Sequence, residues 1–410
     1  MPQLLISSVE TRRSWRVAIA ALVVMTFTFG GPWITTVALK DIAAEVGGAR
    51  SIPSFAAAMA WLCAGIGGIV MGRIAHRVGT RWTIIAGSIS IMIGLSISTL
   101  GLPWPLWIGH GVFIGLFGLG GINAPLYVYV SRWFDRRRGS ALALISSGSF
   151  LAGAMWPPVF ERAIAYAGWR ETMVIFGLVE MCVVVPTAAI MLGKPPEEMP
   201  APLAGAAATA RATRVLGWPP NVIFGAMCIA SILCCMTMSM PQQHLVAFCS
   251  DLGYTGAFGA FTLSVLLGTA FVSRQIWGAI SDRIGGLATV VMSSAWQASA
   301  MTALLYTQSQ TSLITVSAAF GLGFSGIVPA YVMTLRELYP ASEAHWRIPT
   351  LLLFTSLGMG SGGWLAGVLY DHFHFYTPAF AAGVLTNLLN LSIVGTLLVR
   401  LLMTRRAAMA

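Results

Sequence analysis

The sequence predicts an all-α polytopic membrane protein, with twelve transmembrane helices in two pseudo-symmetric six-helix bundles. Three observations predict it. First, of 410 residues 57% are hydrophobic and 9% charged, whereas a soluble domain carries roughly a quarter charged residues. Second, the apolar residues fall in runs of about 20, enough to cross a ~30 Å hydrocarbon core as helices, and lack the alternation of β-barrel strands. Third, the basic residues segregate. Counting gaps alternately, nineteen of the 24 Lys and Arg fall on one side and four (Lys40, Arg50, Arg162, Arg170) on the other, with Arg274 left inside a span.

The spans follow in order between these charges. Span 16–38 opens after Arg12, Arg13 and Arg16, and 53–72 leads to Arg73 and Arg77. Span 83–101 follows Arg81, and 105–130 stops before Arg132. Spans 139–160 and 171–192 flank Arg162 and Arg170. Span 219–248 follows Arg211 and Arg214, and 255–279 ends before Arg283. Spans 287–307 and 311–335 end before Arg336, and 348–369 and 377–402 lie between Arg347 and Arg405. The positive-inside rule then puts both termini in the cytoplasm. The net charge of +10 is thereby topological and implies no nucleic-acid partner. No cleavable signal peptide is expected, because the first span is long and no small-residue cleavage site follows it. Six cysteines, all in apolar stretches and none in a CxxC pair, read as small core side chains.

The chain divides at its middle. Residues 194–217, rich in Ala, Pro and Gly, read as a cytoplasmic linker between an N-terminal bundle, 1–193, and a C-terminal bundle, 218–410. The two halves repeat. Gly72–Arg73–Ile74–Ala75–His76–Arg77–Val78–Gly79 recurs 206 residues later as Gly278–Ala279–Ile280–Ser281–Asp282–Arg283–Ile284–Gly285. Pro125, Tyr127, Val128 and Arg132 recur 204 residues later as Pro329, Tyr331, Val332 and Arg336. An internal repeat in a twelve-span protein points to a secondary transporter with its site at the repeat interface, near the midplane.

The Gly-x-x-x-Asp-Arg-x-Gly pattern of the two loops resembles the signature loop of the major facilitator superfamily. Gly278, Asp282, Arg283 and Gly285 match it. Gly72, Arg73, Arg77 and Gly79 match except that His76 takes the acidic position. Three stretches bring a finer resemblance, to the monocarboxylate transporters and the oxalate–formate antiporters. They are Gly30–Gly31–Pro32–Trp33, the loop Trp133–Phe134–Asp135–Arg136–Arg137–Arg138–Gly139–Ser140–Ala141–Leu142–Ala143, and the Arg-bearing eighth span.

Arg274 carries the chemistry. A charge at that depth costs a few kcal/mol at least and persists with a partner or a task. It lies eight residues before Asp282, about 12 Å into the span and so close to the midplane. Its guanidinium fork suits a carboxylate, and the resemblance implies the same anchor role. The proton-coupled members of the resembled group, as that resemblance implies, carry an acidic residue one turn earlier and a Lys in span 1. Here those positions hold Ala270 and Trp33. Span 11 lacks the second cation of the oxalate-type members, and one buried cation matches one carboxylate.

Other candidates complete the expected cavity. Pro241 should bend or break span 7, placing Gln242, Gln243 and His244 on a polar wall, where His244 is suited to carry a proton. Asn123, Tyr127 and Tyr331 are placed to hydrogen-bond the substrate, with Gln275 beside Arg274. Glu180, a carboxylate well inside a span, is a second proton-coupling candidate, whereas His110 reads as packing. No cofactor, metal or catalytic constellation is expected, so an enzyme is disfavoured, and twelve spans with a two-fold repeat favour alternating access over a channel. The expectation is a monomeric carrier of a small organic anion, a monocarboxylate above others, by proton symport or anion exchange across a bacterial inner membrane. The alternative is an exporter of drug-like or amphipathic compounds.

Overall fold

The computed structural model describes residues 10–193, 195 and 215–409. Most of the expected linker, 194 and 196–214, lies outside them; its end closes a tight turn in which Val215 pairs with Trp218.

Twelve long helices are present among the described residues. They are α1 Arg12–Val37, α2 Ser51–Val78, α3 Thr80–Ser98 and α4 Pro103–Ser131. Next come α5, 139–167, and α6, 169–191, which form one continuous rod except that Gly168 turns it sharply at φ 87°. The second half holds α7 Pro220–Asp251, α8 Gly256–Ile284, α9 Gly286–Leu304, α10 Gln310–Leu338, α11 Ala341–Phe373 and α12 Thr377–Met409. Even the shortest, with 19 residues, spans about 28 Å at 1.5 Å per residue. Large apolar side chains such as Ile93, Leu178, Phe261, Val272, Leu385 and Val399 are exposed. On a molecule in water these would be unpaired patches; on one in a bilayer they face hydrocarbon.

Helix ends follow local chemistry. Thr11 and Ser14 form a capping box at the start of α1, and Ser309 and Ser312 form another at α10. Pro103 and Pro220 open α4 and α7, where a missing N–H costs nothing. The repeated loops end in the same backbone geometry: Gly79 (φ 98°) and Gly285 (φ 87°) link consecutive helices in a conformation that a Cβ disfavours. The repeat seen in the sequence is therefore a repeat of structure.

Two buried apolar clusters form the core. One runs from Val17 to Leu192; the other runs from Val215 to Leu397 and takes in Leu39. The helices that meet between the halves are chiefly α2 with α11 and α5 with α8. These two pairings exchange when six is added to or subtracted from the helix numbers, as a two-fold repeat requires. Close approach at these contacts depends on small residues. Gly65 faces Ser356 and Leu353, and Gly360 lies against the Ala58 backbone.

Two local expectations are corrected. Helix α7 runs unbroken through Pro241. Proline removes one backbone bond, and the close packing of α7 on α11 and α12 outweighs that loss. Arg347, expected in a loop, lies within α11 and is buried, its guanidinium packed over Phe224, Tyr339 and Trp346 and bonded to Glu343. Helix α4 also contains a π-helical stretch, Gly109–Leu119, which widens the turn where its glycines meet α2 and α3.

Candidate functional site

A cavity of about 780 Å³ lies between the two halves. Its walls come from α1, α2, α4 and α5 on one side and from α7, α8, α10 and α11 on the other. At one end it reaches Gly72, Arg73 and His76, on the face where α1 begins and α12 ends.

Arg274 lines this cavity from α8. One Nη donates to the Ser146 carbonyl at 3.1 Å, and the guanidinium lies 4.9 Å from the Phe150 ring centre. No acidic side chain pairs with it among the described residues. A carbonyl and a ring hold the fork in place and leave its charge uncompensated. Asn123 and Tyr127 share the wall from α4. The Asn123 Oδ1 is buried without a partner, and Tyr127 lies close enough to Arg274 to feel its charge. Gln242 and Gln243 line the cavity from α7. Trp33, Trp61, Phe29, Phe150 and Phe324 supply aromatic surface. Trp33 reaches the wall from α1, which packs so closely at Gly30 that any Cβ there would overlap Phe176 and Trp156.

Four expected site residues lie elsewhere. His244 is fully buried and off the cavity wall. Its neighbours Gln242 and Gln243 take the wall because successive helical residues point about 100° apart. Tyr331 is buried and donates to Asn390 Oδ1 at 2.7 Å. A buried tyrosine hydroxyl takes a protein partner, and α12 supplies it, so the repeat of Tyr127 by Tyr331 is one of sequence position and not of environment. Gln275 is exposed and reaches towards Ser147 Oγ at 3.5 Å, one position round the helix from Arg274. Glu180 is buried between α3 and α6, where its Oε2 accepts from Ser88 Oγ at 2.7 Å and its Oε1 has no partner. His110 is satisfied as packing, held by Thr35 at 2.7 Å and Ser98 at 3.1 Å. Of the signature-loop residues, Gly72 and Arg73 edge the cavity mouth, while Arg77, Asp282 and Arg283 are exposed beyond it. The carboxylate of Glu337 accepts from the Gly286 N–H at 3.0 Å, behind Gly285.

The opposite end is sealed by a polar cluster that the sequence reading did not assemble. Arg50 binds Asp251 through both Nη atoms, at 2.6 and 2.7 Å, and Lys40 binds Asp251 at 3.0 Å. Asp371 accepts from the backbone N–H groups of Arg50 and Ser51 at 2.7 and 2.9 Å, capping the α2 N-terminus from across the halves. The Arg50 guanidinium lies 3.6 Å from the Tyr370 ring centre and donates to Tyr376 OH at 2.9 Å. Burial works against the Arg50 charge, but the bonds from Asp251 and Tyr376 overcome it and raise its pKa above the ordinary value. His244 belongs to this cluster. Its Nε2 contacts the Gly363 carbonyl at 2.8 Å and Nδ1 contacts Tyr376 OH at 3.0 Å. Since the carbonyl only accepts, Nε2 carries the proton and Tyr376 donates to Nδ1. The available signal was that the charge-poor face still carries Lys40, Arg50, Asp251 and Asp371.

The family model for the Major Facilitator Superfamily matches residues 18–345. The chain belongs to the major facilitator superfamily. It is therefore a multi-pass membrane transporter of that superfamily. Among its relatives, the MFS-type transporter pynF of Aspergillus niger is 23% identical over 377 residues, 89% of this chain and 83% of that one. Monocarboxylate transporter 13 of Bos taurus is 24% identical over 317 residues, covering 77% and 72%. A bacterial homologue of the human lysosomal transporter Spinster, in an inward-facing and unoccupied conformation, superposes with a TM-score of 0.70 over 95% of this chain and 96% of that one, at 15% identity. This last likeness is one of fold.

The placement of Tyr331 makes a separable prediction. Tyr331→Phe removes the bond to Asn390 and should lower thermal stability in detergent by about 1 kcal/mol, with ligand affinity unchanged. A loss of affinity at unchanged stability would return Tyr331 to the site.

Proposed function

We propose that this superfamily member carries a small organic anion, a monocarboxylate, by alternating access, with Arg274 as the carboxylate anchor. The observation that supports this most is the placement of Arg274: a guanidinium on the cavity wall, held by a carbonyl and a ring, with no acidic partner among the described residues. A buried charge of that kind is compensated when an anion arrives. Asn123 and Tyr127 would bond the carboxylate or a neighbouring hydroxyl. The bundles 1–193 and 218–410 would rock about the cavity as monomers, with both termini cytoplasmic as the distribution of Lys and Arg favours.

The absence of an acid at Ala270 favours anion exchange over proton symport. Glu180 and His244 both lie off the cavity wall, so a proton taken up by either would reach the substrate only through a change in helix packing.

Thermal shift of the purified protein tests the substrate class. Monocarboxylates should stabilise it in a saturable way, and apolar cations of similar size should not. Stabilisation by the cations and not by the acids would favour the drug-exporter reading instead. Coupling is read in proteoliposomes loaded with or without a counter-anion. Exchange predicts uptake that needs the internal anion and ignores an imposed pH gradient.

A further inference from the structure

The seal closes over a histidine that takes no part in holding the anion. His244 is 0% exposed, and both ring nitrogens have partners. Its Nε2–H faces the Gly363 carbonyl at 2.8 Å and Ser54 Oγ at 3.2 Å. Ser54 Oγ donates its own proton to the Arg50 carbonyl at 2.7 Å, so towards His244 it accepts. On the other edge of the ring, Arg50 donates to Tyr376 OH at 2.9 Å, and Tyr376 donates to Nδ1 at 3.0 Å. The bonds run in one direction, from Arg50 to Tyr376 to His244. They end on a lone pair that only the neutral imidazole has.

A proton on Nδ1 would break that order. The Tyr376 hydroxyl would have to turn away from the ring, and a second cation would stand one hydroxyl away from Arg50 in a site closed to water. The charges that act on His244 are Arg50 from α2, Asp371 from α11 and Asp251 along α7, with Lys40 joined through Asp251. Both carboxylates are already answered: Asp251 by Arg50 and Lys40, Asp371 by the Arg50 and Ser51 backbone N–H groups. The closed seal therefore holds His244 neutral. Towards the other half, its cover is α2. Ser54 touches the ring, Gly367 of α11 lies against Ser51, Ser54 and the Arg50 carbonyl, and Gly360 lies against the Ala58 backbone. Helix α2 belongs to the N-terminal half, whereas α7, α11 and α12 belong to the C-terminal half. Opening this end draws α2 away and removes the cover and the Arg50 bond together. An imidazole that meets water takes up a proton as pH falls through about 6.5.

We propose that His244 is a proton sensor inside the seal, neutral while this end is closed and protonated once it opens, so that acid on the sealed face shifts the carrier towards the conformation open to that face. The proton enters and leaves by the same opening. None is carried across, so the seal regulates the rate of anion exchange and adds no driving force. This rests on the alternating-access part of the proposed function and is independent of the substrate. The open conformation binds the proton and the sealed one does not, so the ratio of open to sealed rises as pH falls. For a group that titrates at about pH 6.5, the rise between about pH 7.5 and about pH 5.5 is about tenfold, nearly all of it below about pH 7.

The test is the pH dependence of access from the sealed face. Thr36→Cys, on the cavity wall and with the native cysteines replaced, is labelled by a membrane-impermeant maleimide in proteoliposomes held at the same pH inside and out. Each rate is divided by that of Tyr166→Cys, which cancels the titration of the thiol itself. Tyr166 is 95% exposed at the turn between α5 and α6, on the face where Arg170 bonds Glu45. The normalised rate should rise about tenfold between about pH 7.5 and about pH 5.5. His244→Gln supplies a neutral donor and acceptor, and its rate should be flat over that range. His372 and His374 are exposed on the same face, and the double variant His372→Gln and His374→Asn should keep the rise. A flat profile in the otherwise unmodified protein overturns the proposal, as does a rise that survives in His244→Gln or is lost in the double variant. If His244→Gln does not fold, the unmodified profile and the double variant still decide. A Thr36→Cys thiol that never reacts from this face, at any pH and with or without an anion, would instead take down alternating access, and the sensor with it.

Discussion

Arg274→Ala should abolish saturable monocarboxylate uptake in proteoliposomes while leaving the protein folded. A bidentate guanidinium–carboxylate contact contributes about 3 kcal/mol net as charge-assisted bonds, and 1.4 kcal/mol is tenfold in affinity. The variant should therefore bind the anion roughly 100-fold more weakly. Folding should hardly suffer, because the residue's own bonds are few: one carbonyl and one ring face. Removing a charge from the cavity wall even relieves a desolvation cost. Arg274→Lys separates charge from geometry. The ammonium keeps the charge without the fork, so affinity should fall about tenfold, between the two extremes. The measurement is initial uptake of labelled substrate across a concentration series, with stability followed in parallel. Uptake by Arg274→Ala at the unmodified protein's KM and rate would remove the anchor.

The second large effect is expected at the opposite end of the cavity. Asp251→Ala should open the seal. Asp251 binds Arg50 and Lys40 across the halves, and its removal leaves Arg50, whose side chain is 9% exposed, without its carboxylate. Stripping one partner from such a pair costs several kcal/mol, discounted here to about 2 kcal/mol because Asp251 is partly in contact with solvent. A change of that size shifts a two-state equilibrium by roughly 30-fold. Because the seal exists only in the conformation that is closed at this end, the whole cost falls on that conformation. Thr36, on the cavity wall, reports the shift. Thr36→Cys, with the native cysteines replaced, should react slowly with a membrane-impermeant maleimide from the sealed face and much faster when Asp251→Ala is added. An unchanged labelling rate would mean that other contacts hold the halves together. The same variant should slow uptake, since the return step requires the seal to re-form.

His244 shows why part of the site resisted a reading from sequence. A histidine after two glutamines and a proline suggested a cavity wall. The helix instead continues, and its phase puts Gln242 and Gln243 on the cavity and His244 against Tyr376 and Gly363. Tyr331 repeats the lesson. Its position copies Tyr127, but Asn390 on α12 claims its hydroxyl. Arg274, Asn123 and Tyr127 were legible because a charge or amide deep in an apolar run has few places to go. The seal was not, because its partners Arg50 and Asp251 stand 201 residues apart and each looks alone like an ordinary loop charge.

The sequence by itself determined the number of helices, their alternating direction, the internal repeat and the place of Arg274 within a span. These follow from terms that are local in the chain: the cost of burying charge and unpaired backbone in hydrocarbon, the rise per residue, and the need for glycine where φ is positive. The tertiary structure alone decided which face of each helix meets the cavity and which distant charges close the far end. Those depend on helix rotation and on contacts between helices hundreds of residues apart, where about 100° of rotation moves a side chain from a cavity to a core.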